Sequence, residues 1–380
     1  MTPTYNIDLE HLNDCIKTQL VVSCNEYNGY KVIRYKKDKL LGLGLGLGLY
    51  RSVIMSPDGR LVCFSPPKSY DINDMNENDN NITAEEWVEG TMINAFYDDI
   101  NSEWLFATKS MILCKYDTST FYEMLLDVLC DIGLDCNNLN KDYCYSFVMQ
   151  HPKNIISIPT IVNKSLWLIS AYAIENNKDK CKAVVRECDR DEECIYLLHH
   201  CHMNQPHTYR EDTMNNIIKT YASKESAFNV CGVMFRNEMG KRWKMRSPVY
   251  EELRHVGGAL RMLYVYIHLK KRRALNEYKD YKTQLLFARF QADIDNYIKR
   301  LHENYSECYI KKKKSVKEYE YMYRNDMMLL HDVYKTNFIY ITREFVKSFV
   351  DKKSVLQLVK TIHKFRCVQD QEDSISSNRS

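Results

Sequence analysis

What this 380-residue chain lacks narrows its function before any motif is read. No apolar run reaches the roughly 20 residues that a bilayer-spanning helix needs, and the N-terminus shows no secretory leader, so no membrane role is expected. The net charge is only +3, too small to mark the whole chain as a nucleic-acid binder. Any basic surface must be local and offset by acidic stretches elsewhere. The 14 cysteines include no Cys-x-x-Cys pair, the knuckle of many structural zinc sites. They read as reduced, mostly buried thiols of a cytosolic or nuclear-type compartment.

What is present describes a globular protein. Hydrophobic residues make up 45% and charged residues 27%, and the length suggests two domains. The 28 tyrosines, with abundant Asn, Lys and Ile, reflect AT-rich coding rather than function.

Leu9, Leu12, Ile16 and Leu20 recur at helical spacing and predict an opening helix within residues 1–23. Residues 27–39 alternate and end in a basic turn, which reads as a strand. The strict Leu/Gly alternation of residues 41–49 has neither the Lys-Ser/Thr nor the helix start that a phosphate loop requires, so it reads as a glycine-weakened strand or a slipped coding repeat. Residues 50–65 form a hairpin around Pro57-Asp58-Gly59, and the Asn/Asp/Glu-rich residues 71–86 a solvated loop. Residues 87–112 give two antiparallel strands with a turn at 98–102. That hairpin brings Glu89, Gly90 and Lys109 toward one spot, the chemistry of a nucleotide phosphate site.

A helix over 122–134, strands over 143–150, 155–162 and 165–173, a helix over 214–221 and a strand over 227–236 follow from the same periodicities. The basic stretch 241–248 reads either as an exposed edge that resists aggregation or, since Lys244 and Arg246 share one face of a strand, as a pair pointed at a phosphate. Cys188, Cys194, His199, His200, Cys201, His202 and His207 crowd residues 188–207, but their spacing fits no standard zinc pattern and no metal is assigned. After Pro248 the pattern is helical over 250–268, 281–301, 316–334 and 341–362, with basic runs at 270–273 and 311–314. The expected division is a domain over 1–248, a basic helical domain over 249–368 and a disordered tail over 369–380.

In this order the elements resemble the T4-phage-type RNA ligases, a branch of the covalent nucleotidyltransferases, and especially ligase-like proteins of large DNA viruses. Arg51 and Lys68 match the family's opening hairpin, and Lys109 a strand lysine. Trp87-Val88-Glu89-Gly90-Thr91 is similar to the Lys-x-Asp-Gly-Ser motif. Tyr145-Ser146-Phe147-Val148, Cys231-Gly232-Val233 and Lys244-Met245-Arg246 are similar to its Phe-Glu-Phe-Val, Glu-Gly-Val and Lys-x-Lys motifs.

The resemblance implies an α+β fold, with an antiparallel-sheet, ATP-grasp-like nucleotidyltransferase domain followed by an all-helical domain. It also implies ATP and Mg as cofactors, RNA or a nucleotide as partner, and a viral protein of the host cytoplasm or virion. The departures change the function. Trp87 occupies the place of the nucleophilic lysine, and Ser146 and Cys231 replace two carboxylates. What remains is a binding set of Arg51, Lys68, Glu89, Gly90, Lys109, Lys244 and Arg246 with no catalytic residue, so a catalytically degenerate binder of a nucleotide or RNA end is expected. The alternatives are an active ATP-dependent ligase that uses a displaced lysine, such as Lys109 or Lys68, and a structural or virion interaction protein.

Overall fold

The computed structural model describes residues 2–40, 45–76, 81–113, 120–159, 163–177, 181–201, 203–210, 212–277 and 280–377. The chain divides into two compact units, Met1–Glu251 and Glu252–Ser380. The fold is α+β, with antiparallel sheets in the first unit and helices in the second.

In chain order the first unit carries β1 (Thr4–Asp8), α1 (Leu9–Lys17), β2 (Val21–Tyr27), β3 (Tyr30–Tyr35), β4 (Val53–Met55), β5 (Leu61–Cys63), β6 (Tyr70–Asp71) and β7 (Thr83–Glu86). Then come β8 (Thr91–Asp98), β9 (Glu103–Ala107), β10 (Ile112–Leu113), α2 (Thr120–Asp131), β11 (Tyr143–Gln150), β12 (Ser165–Asn177) and β13 (Lys182–Glu187). The short helices α3 (Arg190–Glu193) and α4 (Ile195–His200) lead to α5 (Met214–Tyr221), β14 (Gly232–Arg236) and β15 (Arg242–Arg246).

A seven-stranded sheet in the order β1-β13-β12-β11-β8-β9-β10 is the frame. One cluster of buried side chains, including Ile7, Val32, Ile54 and Phe96, joins it to the sheet β2-β3-β4-β5. A second gathers Leu125, Val128 and Leu129 of α2 with Phe147 and Leu168. The third sheet, β6-β15-β14-β7, buries Ala84, Val233, Phe235 and Trp243 on one face. Because side chains alternate along a strand, its other face carries Glu85, Met234, Arg242, Lys244 and Arg246.

Several elements differ from the sequence reading, each for a local reason. The chain opens on a strand, where Tyr5 and Ile7 alternate with exposed neighbours; Asp8 then caps α1 by accepting from the His11 N–H at 2.9 Å. Leu45–Leu49 forms a 3₁₀ turn rather than a strand, while residues 41–44 lie outside the described residues. The solvated loop ends in β7, which pairs with β14 and buries Ala84 and Glu85. Residues 155–159 are irregular rather than a strand, and residues 160–162 lie outside the described residues. Only Gly232–Arg236 of the stretch 227–236 is strand.

The predicted helix over 250–268 is broken at Gly257-Gly258 into α6 (Pro248–His255), which carries the chain from the first unit into the second, and α7 (Arg261–Arg272). The helix α8 (Tyr281–Tyr305) is capped by Asp280 and buries Phe287, Phe290, Ile294, Tyr297, Ile298 and Leu301, the stripe legible in the sequence. It is followed by α9 (Tyr321–Asn337), α10 (Arg343–Asp351) and α11 (Val355–Ser377). The last two are separate because Thr342 and Ser354 each accept a hydrogen bond from the N–H three residues on. The helix α11 runs to Ser377, through most of the stretch where the composition predicts a disordered tail.

Candidate functional site

Three adjoining cavities are linked by shared residues, and the first two line the charged face of the third sheet. The first, about 370 Å³, is walled by Tyr35, Lys37, Leu40, Arg51, Lys68, Ser69, Lys109 and Lys244. Five of these eight residues are cations and none is a carboxylate. Arg51, Ser69 and Lys244 are shared with a cavity of about 200 Å³, where Trp87, Gly90, Met92, Val148 and Ile169 face Met234 and Arg242. Trp87 and Glu86 are shared in turn with a cavity of about 360 Å³ rich in neutral polar groups: Gln150, Asn163, Ser165, Asn204, Asn229 and the Trp167 indole.

The structure thus brings Arg51, Lys68, Lys109 and Lys244 together. Arg51 lies two residues before β4, and its guanidinium donates to the Pro66 carbonyl at 3.5 Å. Lys68 is held by its own N–H, which donates to the Gly48 carbonyl at 2.9 Å, so the end of the Leu/Gly repeat supports this wall. The ammonium of Lys109 lies 5.0 Å from the Tyr35 ring centre and that of Lys68 5.2 Å from Tyr70. Among the described residues no ion pair holds Arg51, Lys68, Arg242 or Lys244.

That crowding has an electrostatic signature. Burial, followed by the charges of Arg246, Lys68 and Arg51, pulls Lys244 below the ordinary lysine value, with Asp71 opposing. Burial and then Arg242 do the same to Arg51. Like charges crowded around a cavity favour an anion.

The remaining candidates lie further along. Glu89 is buried and turned into the protein: the Tyr250 hydroxyl donates to one of its oxygens at 2.6 Å and the Ile158 N–H to the other at 3.0 Å. With Glu86 it lines the third cavity, not the cationic one. Gly90 packs so closely on β11 that a Cβ there would lie 2.6 Å from the Met149 carbonyl oxygen. The Arg246 guanidinium covers the Trp87 ring at 5.0 Å from its centre and pairs with Glu251 at 2.7 Å. Trp87 lines both the middle and the third cavity and forms a partition between them.

The two substituted carboxylate positions are neutral. Ser146 is fully buried and donates to Asn94 at 2.8 Å, and Asn94 donates to Ser52 at 3.2 Å, a closed amide and hydroxyl set. Burial, and then the nearby Glu89, pushes the Cys231 thiol well above its ordinary value, so it stays protonated.

Lys37 and Arg242 join the candidates although the sequence reading did not select them. Arg242 was legible, since it shares the period-two face of Lys244. Lys37 closes the basic end of the stretch 27–39, and only the fold brings it beside Arg51.

Cys188, Cys194 and Cys201 are buried in the core shared with α2, while His199 and His207 are exposed. His202 lies outside the described residues. Among the described residues no three His, Cys, Asp or Glu side chains are grouped to hold a metal ion, and no helix is long and apolar enough to cross a membrane.

In the wall of the middle cavity, Glu85 pairs with Arg190 at 2.5 Å. Burial opposes its charge, but Arg190, Arg236 and Arg242 outweigh burial and hold the carboxyl below the ordinary value of 4.5. Asp98 is likewise held below 3.8: burial opposes, and hydrogen bonds from Tyr30 and Asn101 prevail. A depressed carboxyl contributes stability above its unfolded value and loses it as pH falls through the folded one. The urea midpoint of the protein is therefore expected to hold above about pH 5 and to drop as pH falls below about 4, and a Glu85→Gln variant should lose part of that slope.

No family model matches the chain, and no curated protein matches it. Among solved structures it is similar to a Naegleria gruberi RNA ligase with PPi, at 13% identity and a TM-score of 0.37 over 58% of this chain and 64% of that one. It is similar to a variant of that ligase with ATP and Mn, at 13% identity and a TM-score of 0.36 over 66% of this chain and 84% of the other. An archaeal ATP-dependent RNA ligase gives 12% identity and a TM-score of 0.39 over 74% and 70%. Likeness at this level leaves the function to be read from the site's own residues.

Proposed function

We propose that the first unit binds a polyphosphate group, carried by a nucleotide or an RNA end, in the cationic cleft, and forms no covalent bond to it. The observation that carries this reading is the cavity walled by Lys37, Arg51, Lys68, Lys109 and Lys244 without a carboxylate. Cations crowded together are destabilised when bare and stabilised when an anion enters.

Three neighbouring positions support binding without chemistry. Trp87 offers an indole, which is no nucleophile for phosphorus. Cys231 keeps its proton, and Ser146 is enclosed in its own hydrogen bonds. The wall also suits phosphate better than a protein-held magnesium. A hard cation needs several oxygen ligands, yet Glu85 is taken by Arg190 and Glu89 by Tyr250, which leaves Glu86.

A second reading has one observation in its favour. Lys244 is held below the ordinary lysine value of 10.5, and a depressed amine is the more available nucleophile. An active enzyme with a displaced lysine would use that residue.

Calorimetric titration with ATP tests the binding reading. Lys244→Ala and Arg51→Ala are each expected to weaken binding by roughly 10- to 100-fold, the size of a charge-assisted hydrogen bond at about 1.5–3 kcal/mol. Affinity should also fall as pH rises toward the lowered value of Lys244, because only the ammonium binds phosphate. Equal affinity in wild type and both variants would sink the reading.

A further inference from the structure

The two units differ sharply in charge. Over residues 1–251, Asp and Glu outnumber Lys and Arg by 34 to 27, whereas over 252–380 Lys and Arg lead by 26 to 16. The modest net charge of the whole chain conceals a strongly basic helical unit.

Within that unit, one region combines the cations with aromatic rings in a way that folding does not explain. The end of α8 widens into a π-helical turn, Ser306–Ile310, and the chain then runs straight into Lys311, Lys312, Lys313 and Lys314, all exposed. Tyr309 of this turn stacks on His331 of α9, with ring centres 3.8 Å apart and planes 14° apart. His331 lies in turn nearly parallel to Tyr334, at 5.9 Å and 18°. The outermost ring, Tyr334, is exposed, and Lys335 follows it.

One turn on, Phe338 ends α9 in the left-handed conformation with φ 53°, a place that favours Gly or Asn. Phe338 is 81% exposed and Tyr340 82% exposed. A bulky residue held in strained backbone with its ring in water serves neither the helix nor the core. Glu307, which pairs with Lys313 at 3.7 Å, Glu318, whose carboxylate feels the charge of Lys314, and Asp332 are acidic residues of the same surface; the four-lysine run and Lys335 outnumber them.

We infer that this face of the helical unit binds single-stranded polynucleotide, its bases stacking on Tyr334, Phe338 and Tyr340 and its phosphates meeting Lys311 to Lys314. Exposed rings beside exposed cations are the chemistry of sequence-tolerant strand binding, since every base has a π face and every linkage a charge. Nothing in the surface selects ribose over deoxyribose. The inference stands apart from the cleft proposal, because it uses none of the cleft's residues.

The test is fluorescence anisotropy of the full chain with labelled oligo(U) and oligo(dT) across a range of NaCl. The triple variant Tyr334→Ala, Phe338→Ala, Tyr340→Ala removes only exposed side chains, so it should fold normally and bind both oligomers at least about tenfold more weakly, on the basis of stacking losses per base. Replacing Lys311 to Lys314 with Ser should reduce the salt slope by about 0.7 for each phosphate that is no longer neutralised. ATP binding at the cleft should be unchanged in both, which separates failure here from failure there. Oligomer binding equal to wild type in both variants would overturn the inference. So would loss of binding to phosphatidylserine vesicles, rather than to oligomers, on removing the three rings.

Discussion

Replacing Gly232 with Ala should cost the first unit about 3 kcal/mol or more, the scale of overpacking combined with a disallowed backbone conformation. Gly232 has φ +140°, and a Cβ there would run into the Met245 carbonyl oxygen and lie 2.8 Å from the Arg246 Cα on the paired strand. The neighbours are backbone, so neither can turn aside. Since the Gly232 carbonyl also accepts from the Trp87 N–H at 3.4 Å, the strain would reach the partition of the cleft and the strand that bears Lys244 and Arg246. Chemical denaturation followed by circular dichroism reads the loss; a change below about 1 kcal/mol would mean that the two strands separate more easily than this packing allows.

Arg190→Met is expected to have a comparable effect for an electrostatic reason. Arg190 donates to Glu85 and, at 3.1 Å, to the Ile169 carbonyl, and both members of the pair are nearly buried. Removing the guanidinium strands a buried carboxylate with only the more distant charges of Arg236 and Arg242. Breaking such a pair costs about 3–5 kcal/mol, whereas replacing both partners with apolar groups is often nearly neutral. At roughly 2–4 °C per kcal/mol for a unit of this size, Tm should fall by about 6–20 °C. The double variant Arg190→Met, Glu85→Leu should recover most of that. If it is as unstable as the single variant, the damage comes from packing and not from the lone charge.

The sequence carried the elements whose signal is local. The stripe of α8, the turn at Pro57-Asp58-Gly59 and the hairpin of β8 and β9 all rest on spacing or turn chemistry within a few residues. The strand β7 was hidden because its burial comes from β14, some 150 residues further on, and its composition alone is that of a loop. The opening strand β1 was masked by the helical spacing that begins at Leu9 and overlaps it.

The site divides in the same way. Arg51, Lys68, Lys109 and Lys244 converge as the motif order suggests. Glu89 does not join them, because its carboxylate is held by Tyr250 and Ile158, partners that no spacing announces. The two glycines at the centre of the motif-like tripeptides, Gly90 and Gly232, both stand where a Cβ would strike a neighbouring strand. Their presence has a packing reason independent of any ligand.

The cleft is expected to hold a nucleotide without bonding to it. Protein incubated with α-phosphate-labelled ATP and magnesium, then divided between native filtration and denaturing electrophoresis, tests it most directly. Non-covalent binding requires label retained by the native protein, displaced by excess unlabelled ATP and absent after denaturation. Label that survives denaturation, and disappears in Lys244→Ala, would contradict it and identify an active nucleotidyltransferase.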